Sequence, residues 1–227
     1  MNMKLAMVCS AGGGSVLQAF DLAATAGLVT PADILVIVDR PCGAESGAAA
    51  RLMTTRRIEE PNRVAFSARA AVEMKRFGAD AALLSFSRLV SEELYGVLPT
   101  LNIHPSLLPS FPGIGAVAAA RTASARILGA SLHRVDAGTD TGPLLGQAWS
   151  PACPQATAEV WNRQSFIHKT YLAALVIEEA SRGRDLLQIG HQRERRTPNA
   201  CPALEDNGLI GGFQALLAER KMEHFVP

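Results

Sequence analysis

The stretch Lys4-Leu5-Ala6-Met7-Val8-Cys9 runs straight into Ser10-Ala11-Gly12-Gly13-Gly14-Ser15, and helix-forming residues follow from 16 to about 26. A short apolar run, a glycine turn and a helix start, in that order, predict the opening β-turn-α unit of a parallel sheet. Working outward, Ile34–Val38 is a second apolar, β-branched run, stopped by Asp39-Arg40-Pro41. Asn62 is placed to cap a helix reaching Phe77, with Val64, Ala68, Ala71, Val72 and Lys75 at helical spacing. Residues 81–84 read as a buried strand, 91–97 as a short helix, and 100–103 as a strand that ends where Pro105 forces the chain out of regular structure. Residues 129–136 alternate apolar and polar, with 143–149 as an antiparallel neighbour. A long helix over 157–182 follows, with Val160, Ile167, Tyr171, Leu175 and Ile177 as core candidates. Alternating strands and helices imply right-handed crossovers. The expected fold is α/β, a Rossmann-like, open, mostly parallel twisted sheet with an antiparallel pair near its end.

Composition sets the outer limits. The chain has 227 residues, 48% of them hydrophobic and 19% charged, enough for a sizeable core and too apolar for a disordered protein. A formal net charge of +1 argues against a globally basic nucleic-acid binder. Cys9, Cys42, Cys153 and Cys201 form no CxxC pair and fit neither a zinc site nor a disulfide framework. No run approaches the roughly 20 apolar residues that span a bilayer, and the start lacks a signal peptide's apolar region, so no membrane partner and a cytoplasmic location are expected. From Gly183 the composition changes: Arg193, Arg195 and Arg196 form a basic turn, two prolines follow, and 209–220 is amphipathic. This divides the chain into a domain over 1–184 and a loosely attached extension over 185–227. The extension either docks through Leu209, Phe213, Leu216 and Leu217 or offers them as the contact of a homodimer.

Three segments carry chemistry. Gly13-Gly14-Ser15 opens a helix, where backbone N–H groups and the dipole favour a phosphate or carboxylate; the other reading is a tight turn without ligand. Neither GxGxxG (position 17 is Leu17) nor a Walker motif is present. Asn102 and His104, two apart at a strand end, point to one side of the sheet, at the carboxyl edge where open α/β sheets bind ligands. An amide and an imidazole there either hold a polarised carbonyl oxygen or satisfy turn hydrogen bonds. Asp136-Ala137-Gly138-Thr139-Asp140-Thr141-Gly142-Pro143 is a tight polar loop, read either as a plain turn or as the source of a carboxylate for the imidazole. His133 reads as a structural residue of an alternating strand, and nothing supports a metal.

Taken together, LNIHPSLLPSFPG (101–113) and the later DxGxDTGP (136–143) resemble the 10-formyltetrahydrofolate-dependent formyltransferase family, nearest to its phosphoribosylglycinamide branch, over about residues 4–184. The resemblance implies an N-formyltransferase with 10-formyltetrahydrofolate as cosubstrate and a small-molecule amine as acceptor. By that resemblance Asn102, His104 and Asp140 are catalytic. Arg88, Leu89 and Val90 grip the pterin through their backbone, and Ala137, Gly138 and Thr139 close over it. Gly13, Gly14, Ser15 and Arg63 face the acceptor. Val16, the run from Ile114 to Ala120, and Ile167 depart from the purine branch, where polar residues stand. These departures leave the acceptor open to a smaller or more apolar amine. The other classes retained are a formyltetrahydrofolate hydrolase and a catalytically silent ligand-binding homologue.

Overall fold

The computed structural model describes residues 3–11, 13–192, 195–222 and 224–227; Gly12 of the glycine turn and Arg193 of the basic turn lie outside them. In chain order the strands are β1 (Leu5–Cys9), β2 (Ile34–Val38), β3 (Thr54–Arg57), β4 (Ala81–Ser85), β5 (Thr100–His104), β6 (Ile127–Arg134), β7 (Leu144–Pro151) and β8 (Ala200–Cys201). The helices are α1 (Gly14–Thr25), α2 (Gly43–Ala50), α3 (Arg63–Phe77), α4 (Glu92–Tyr95), α5 (Ala116–Thr122), α6 (Ala158–Ser181), α7 (Ile189–Gln192) and α8 (Asn207–Glu219). The strands form one sheet in the order β3-β2-β1-β4-β5-β6-β7-β8. The first five are parallel, and β6, β7 and β8 run antiparallel to their neighbours.

Because β1 is covered on both faces it is apolar throughout, and its side chains divide by the two-residue period of a strand. Leu5, Met7 and Cys9 join α1, α6 and α8 on one face; Ala6 and Val8 meet Phe66, Ala70 and Met74 of α3 on the other. The turn after β1 is made by Gly13 at φ +55, where a Cβ would lie 2.7 Å from that of Ala44. Only glycine fits that turn.

Asn62 caps α3 as expected, its Oδ1 accepting from the amides of Val64 and Ala65 at 2.9 and 3.0 Å. The buried face of α3 differs from the expected one. Val64 and Val72 are exposed, whereas Phe66, Ser67, Ala70, Ala71 and Met74 are buried. The larger side chains Phe66 and Met74 set the rotation of the helix, and the two valines cover only its flank.

The segment after Gly183 adds β8 at the sheet edge and lays α8 against α1. Leu209, Phe213, Leu216 and Leu217 are all buried in the chain's own core, so the dimer contact proposed for them is not available. Tyr171 packs edge-on to Phe213 and Phe225 at 5.4 and 5.5 Å, and the two phenylalanine rings lie tilted at 5.8 Å. Glu178, fully buried on α6, accepts from the amides of Glu205 and Asp206 and ties the entry of α8 to α6. Arg195 and Arg196 are exposed. Among the described residues no helix is long and apolar enough to cross a membrane.

Candidate active site

Asn102 and His104 leave the carboxyl end of β5 on the same face of the sheet. The chain then makes the 105–113 loop, which is stapled to β6 by Ser131. The buried Ser131 hydroxyl donates to the Ser106 carbonyl at 2.8 Å and accepts from the Leu108 amide at 2.9 Å. This brings the Phe111 carbonyl back to within 2.8 Å of His104 Nε2, which donates to it. On the other side of the ring, His104 Nδ1 faces Asp140 Oδ2 at 3.2 Å. Both ring nitrogens therefore face acceptors, an arrangement that only the imidazolium satisfies in full.

Asp140 is delivered by the loop between β6 and β7. Asp136 shapes that loop, its Oδ1 accepting from the Gly138 amide at 3.0 Å and the Thr141 hydroxyl at 2.9 Å. Gly142 closes it, since a Cβ there would run into the Arg134 carbonyl oxygen. Asp140 sits at φ +56, in the left-handed region that Asp tolerates better than most residues. Its Oδ2 also accepts from the Gly113 amide at 2.8 Å, which locks the two loops together across the site.

His133, read from the sequence as a structural residue, stands beside this group and holds one of its members. It pairs with Asn102 in the β5–β6 register, so the two side chains share a face. His133 Nδ1 donates to the Arg134 carbonyl at 2.9 Å, which leaves Nε2 to accept from Asn102 Nδ2 at 3.1 Å. The same amide nitrogen is 3.5 Å from Asp140 Oδ1. The signal was present in the sequence as the alternation of 129–136, but it required the strand register to be read.

A cavity of about 320 Å³ opens on these groups. Asn102, His104 and Asp140 line it together with Arg88, Leu89 and Val90 on one wall and Ala137, Gly138 and Thr139 on another; Arg63 stands at its rim. Arg88 is fixed through its guanidinium. It donates to the Pro61 carbonyl at 2.7 Å, lies over the stacked rings of Phe66 and Phe86, and approaches Asp39 at 3.5 Å. The Arg40 side chain, with Arg88 behind it, holds the Asp39 carboxyl below the usual range. The 88–90 segment that lines the cavity is thus anchored through the Arg88 side chain. Gly13, Gly14 and Ser15 are not part of this lining. They start α1 at the end of β1, one strand away from β4, and Ser10 Oγ accepts from the Ser87 amide at 3.1 Å to join that turn to the cavity wall.

The formyl transferase family profile matches residues 3–175, which include every side chain of this cluster. The chain belongs to the formyl transferase family. This formyl transferase is 36% identical over 149 residues to a phosphoribosylglycinamide formyltransferase of Mycobacterium tuberculosis, covering 62% of this chain and 68% of that protein. It is 32% identical over 128 residues to a methionyl-tRNA formyltransferase of Herpetosiphon aurantiacus, covering 56% of this chain and 41% of that one. Its fold matches glycinamide ribonucleotide transformylase 1 of Symbiobacterium toebii with a TM-score of 0.71 at 30% identity, over 80% of this chain and 89% of that one. Phosphoribosylglycinamide formyltransferase of Bacillus halodurans matches with the same TM-score at 25% identity, over 81% and 98%. Among the described residues of the formyl transferase no group of three or more His, Cys, Asp or Glu is placed to hold a metal ion.

Proposed function

We propose that the protein transfers the formyl group of 10-formyltetrahydrofolate to a primary amine of a small molecule. One observation carries this reading: the Asn102–His104–Asp140 group shares its cavity with the two backbone segments, 88–90 and 137–139, that the family resemblance assigns to folate. A cosubstrate held between those segments presents its formyl group to an amide, an imidazolium and a carboxylate at once.

The acceptor nitrogen attacks the formyl carbon and negative charge grows on the carbonyl oxygen. The amide of Asn102 donates to that oxyanion, and the His104 imidazolium, whose two N–H groups are held by Asp140 and the Phe111 carbonyl, stabilises it through its charge; one preorganised donor is worth about 2.7–4 kcal/mol of barrier. Asp140 balances the imidazolium and, through water, takes the proton lost by the attacking nitrogen. As the intermediate collapses, the bond from the formyl carbon to N10 breaks and the proton ends on N10. Arg63 at the rim and the Gly13-Gly14-Ser15 turn face the acceptor in this reading.

Two of the departures from the purine branch, Val16 and Ile167, are fully buried in the core and take no part in contacts to an acceptor. The acceptor is therefore left to an experiment. A panel of amines, including phosphoribosylglycinamide, nucleotide-linked aminosugars and hydroxyornithine-type amines, is offered with 10-formyltetrahydrofolate while folate release is followed spectroscopically. Release that depends on one amine supports the transferase. Stoichiometric formate without added amine would make the protein a hydrolase instead, and no release under either condition would leave only a ligand-binding homologue.

A further inference from the structure

The Phe111 carbonyl meets His104 from a backbone conformation that phenylalanine seldom holds. Phe111 stands at φ +52, in the left-handed region, where a bulky L-residue is a steric outlier. The loop leaves it little choice. Ser131 pins the main chain at Ser106 and Leu108, and Gln147 Nε2 donates to the Leu108 carbonyl at 3.2 Å. The Ser110 amide donates to the Leu107 carbonyl at 2.9 Å. The buried Ser106 hydroxyl donates to the Ser110 carbonyl at 2.6 Å and lies 3.2 Å from that of Phe111. On the far side Pro112 fixes its own φ and disfavours helical conformations at the residue before it. The reversal between these two segments therefore falls on Phe111. Strain of this kind persists only where the surroundings over-determine it, and it gathers at functional sites.

The ring and the backbone of Phe111 act separately. The half-buried ring packs on the cluster of Ala120, Leu128, Ala152 and Trp161, and Trp161 is itself held by its Nε1 donating to the Cys153 carbonyl at 3.2 Å. The carbonyl accepts from His104 Nε2 at 2.8 Å. Two residues on, the Gly113 amide donates at 2.8 Å to Asp140 Oδ2, the oxygen that faces His104 Nδ1. The segment 111–113 thus offers an acceptor to the cation and a donor to the anion of one ion pair, and both hydrogen bonds are charge-assisted. Gly113 lines the cavity, whereas Phe111 is not part of its lining.

We propose that Phe111 is a positioning residue for the transfer: its anchored ring holds the left-handed turn that keeps a carbonyl on His104 and an amide on Asp140. The two side chains are thereby fixed as an imidazolium–carboxylate pair by main-chain groups that carry no side-chain freedom of their own. The proposal rests on the transferase reading above and deepens it by adding a backbone clamp to the catalytic pair.

The test separates loss of the ring from relief of the backbone. Phe111→Val keeps part of the apolar volume but is β-branched and resists φ > 0, whereas Phe111→Gly loses all packing and adopts that φ freely. In steady-state assays with 10-formyltetrahydrofolate and phosphoribosylglycinamide, Phe111→Val is expected to lower kcat about 10-fold, the worth of one charge-assisted hydrogen bond, while KM for the folate changes less than about twofold. Phe111→Gly keeps about a third of the wild-type kcat. A ring that only fills space gives the opposite order, with Val more active than Gly, and that order overturns the proposal. The second readout needs no turnover. In heteronuclear NMR of histidine-labelled protein the His104 Nε2–H signal, assigned with His104→Gln, exchanges slowly with water in wild type and about 10-fold faster in Phe111→Val. Equal exchange in wild type and folded Phe111→Val overturns the proposal; should that variant not fold, equal exchange in Phe111→Ala does the same. Exchange that follows the variants while no amine is formylated keeps the clamp and removes the transferase reading. Formylation with kcat and exchange both unchanged by the variants does the reverse.

Discussion

Asp140 Oδ2 stands 3.2 Å from His104 Nδ1 and at the same time accepts the Gly113 amide at 2.8 Å. One oxygen thus fixes the imidazole and the end of the loop that follows it. Neither side chain has the freedom to drift: the Asp140 and His104 side chains are 10% and 5% exposed. A carboxylate held so tightly serves as counter-charge and proton acceptor without reorganising when the oxyanion forms, which is where preorganisation lowers a barrier.

Asp140→Asn keeps the size of the side chain and removes its charge. Turnover is expected to fall by about 10²–10⁴, the usual range for a general base, with KM for the folate little changed. Single-turnover rates of the purified variant check this; a loss under about threefold would exclude Asp140 as the proton acceptor.

His133 holds the Asn102 amide through Nε2. Replacing it by Leu frees that amide and is expected to reduce kcat about 10-fold, the worth of one hydrogen bond, with folate KM unchanged. His133→Gln, which retains an acceptor, recovers part of the rate. A simple packing role would lower thermal stability in both variants without this difference in kcat.

Gly142→Ala places a methyl group against the Arg134 carbonyl and distorts the loop that carries Thr139 and Asp140. A stability loss of about 1–3 kcal/mol in urea titration is expected, together with weakened folate binding, because overpacking here moves backbone.

His168 is buried beside Ser150, whose hydroxyl is 2.9 Å from its Nε2, and burial pushes its pKa down to about 3, with His224 adding to the shift. The unfolded chain takes up this proton below about pH 6.5 and the folded chain does not, so stability is full above pH 6.5 and falls toward pH 3. Going from pH 7 to pH 5 is expected to cost wild type about 2 kcal/mol more than His168→Gln, at about 1.4 kcal/mol per pH unit. Denaturant titrations of both proteins at the two pH values measure the difference.

Glu178→Ala removes the buried carboxylate that receives two amides at the entry of α8 and faces Arg182 at 3.3 Å. A loss of about 3–5 kcal/mol is expected, since the groups it satisfied stay buried. Limited proteolysis is expected to cleave first near 205–207 as α8 loosens.

The sequence by itself determined the succession of β1, α1, β2, α3, β4, α4, β5, β6, β7 and α6, the Asn62 cap and the glycine turn, and it singled out Asn102, His104 and Asp140 as candidates. These features are written in a few neighbouring residues: a run of buried strand, a cap that accepts its own amides, two side chains on one face of a strand, a loop closed by its own aspartate. Elements with weak local signals were not legible. Helices α2 and α5 are alanine-rich with little apolar pattern, β3 is Thr-Thr-Arg-Arg at the sheet edge, and β8 is two residues long. Only the tertiary structure decided which face of α3 is buried, that His133 stands beside Asn102, and that α8 docks on α1. Each of these depends on strand register or on contacts between segments far apart in the chain. Such choices are made by packing, which selects among faces that local periodicity leaves nearly equal.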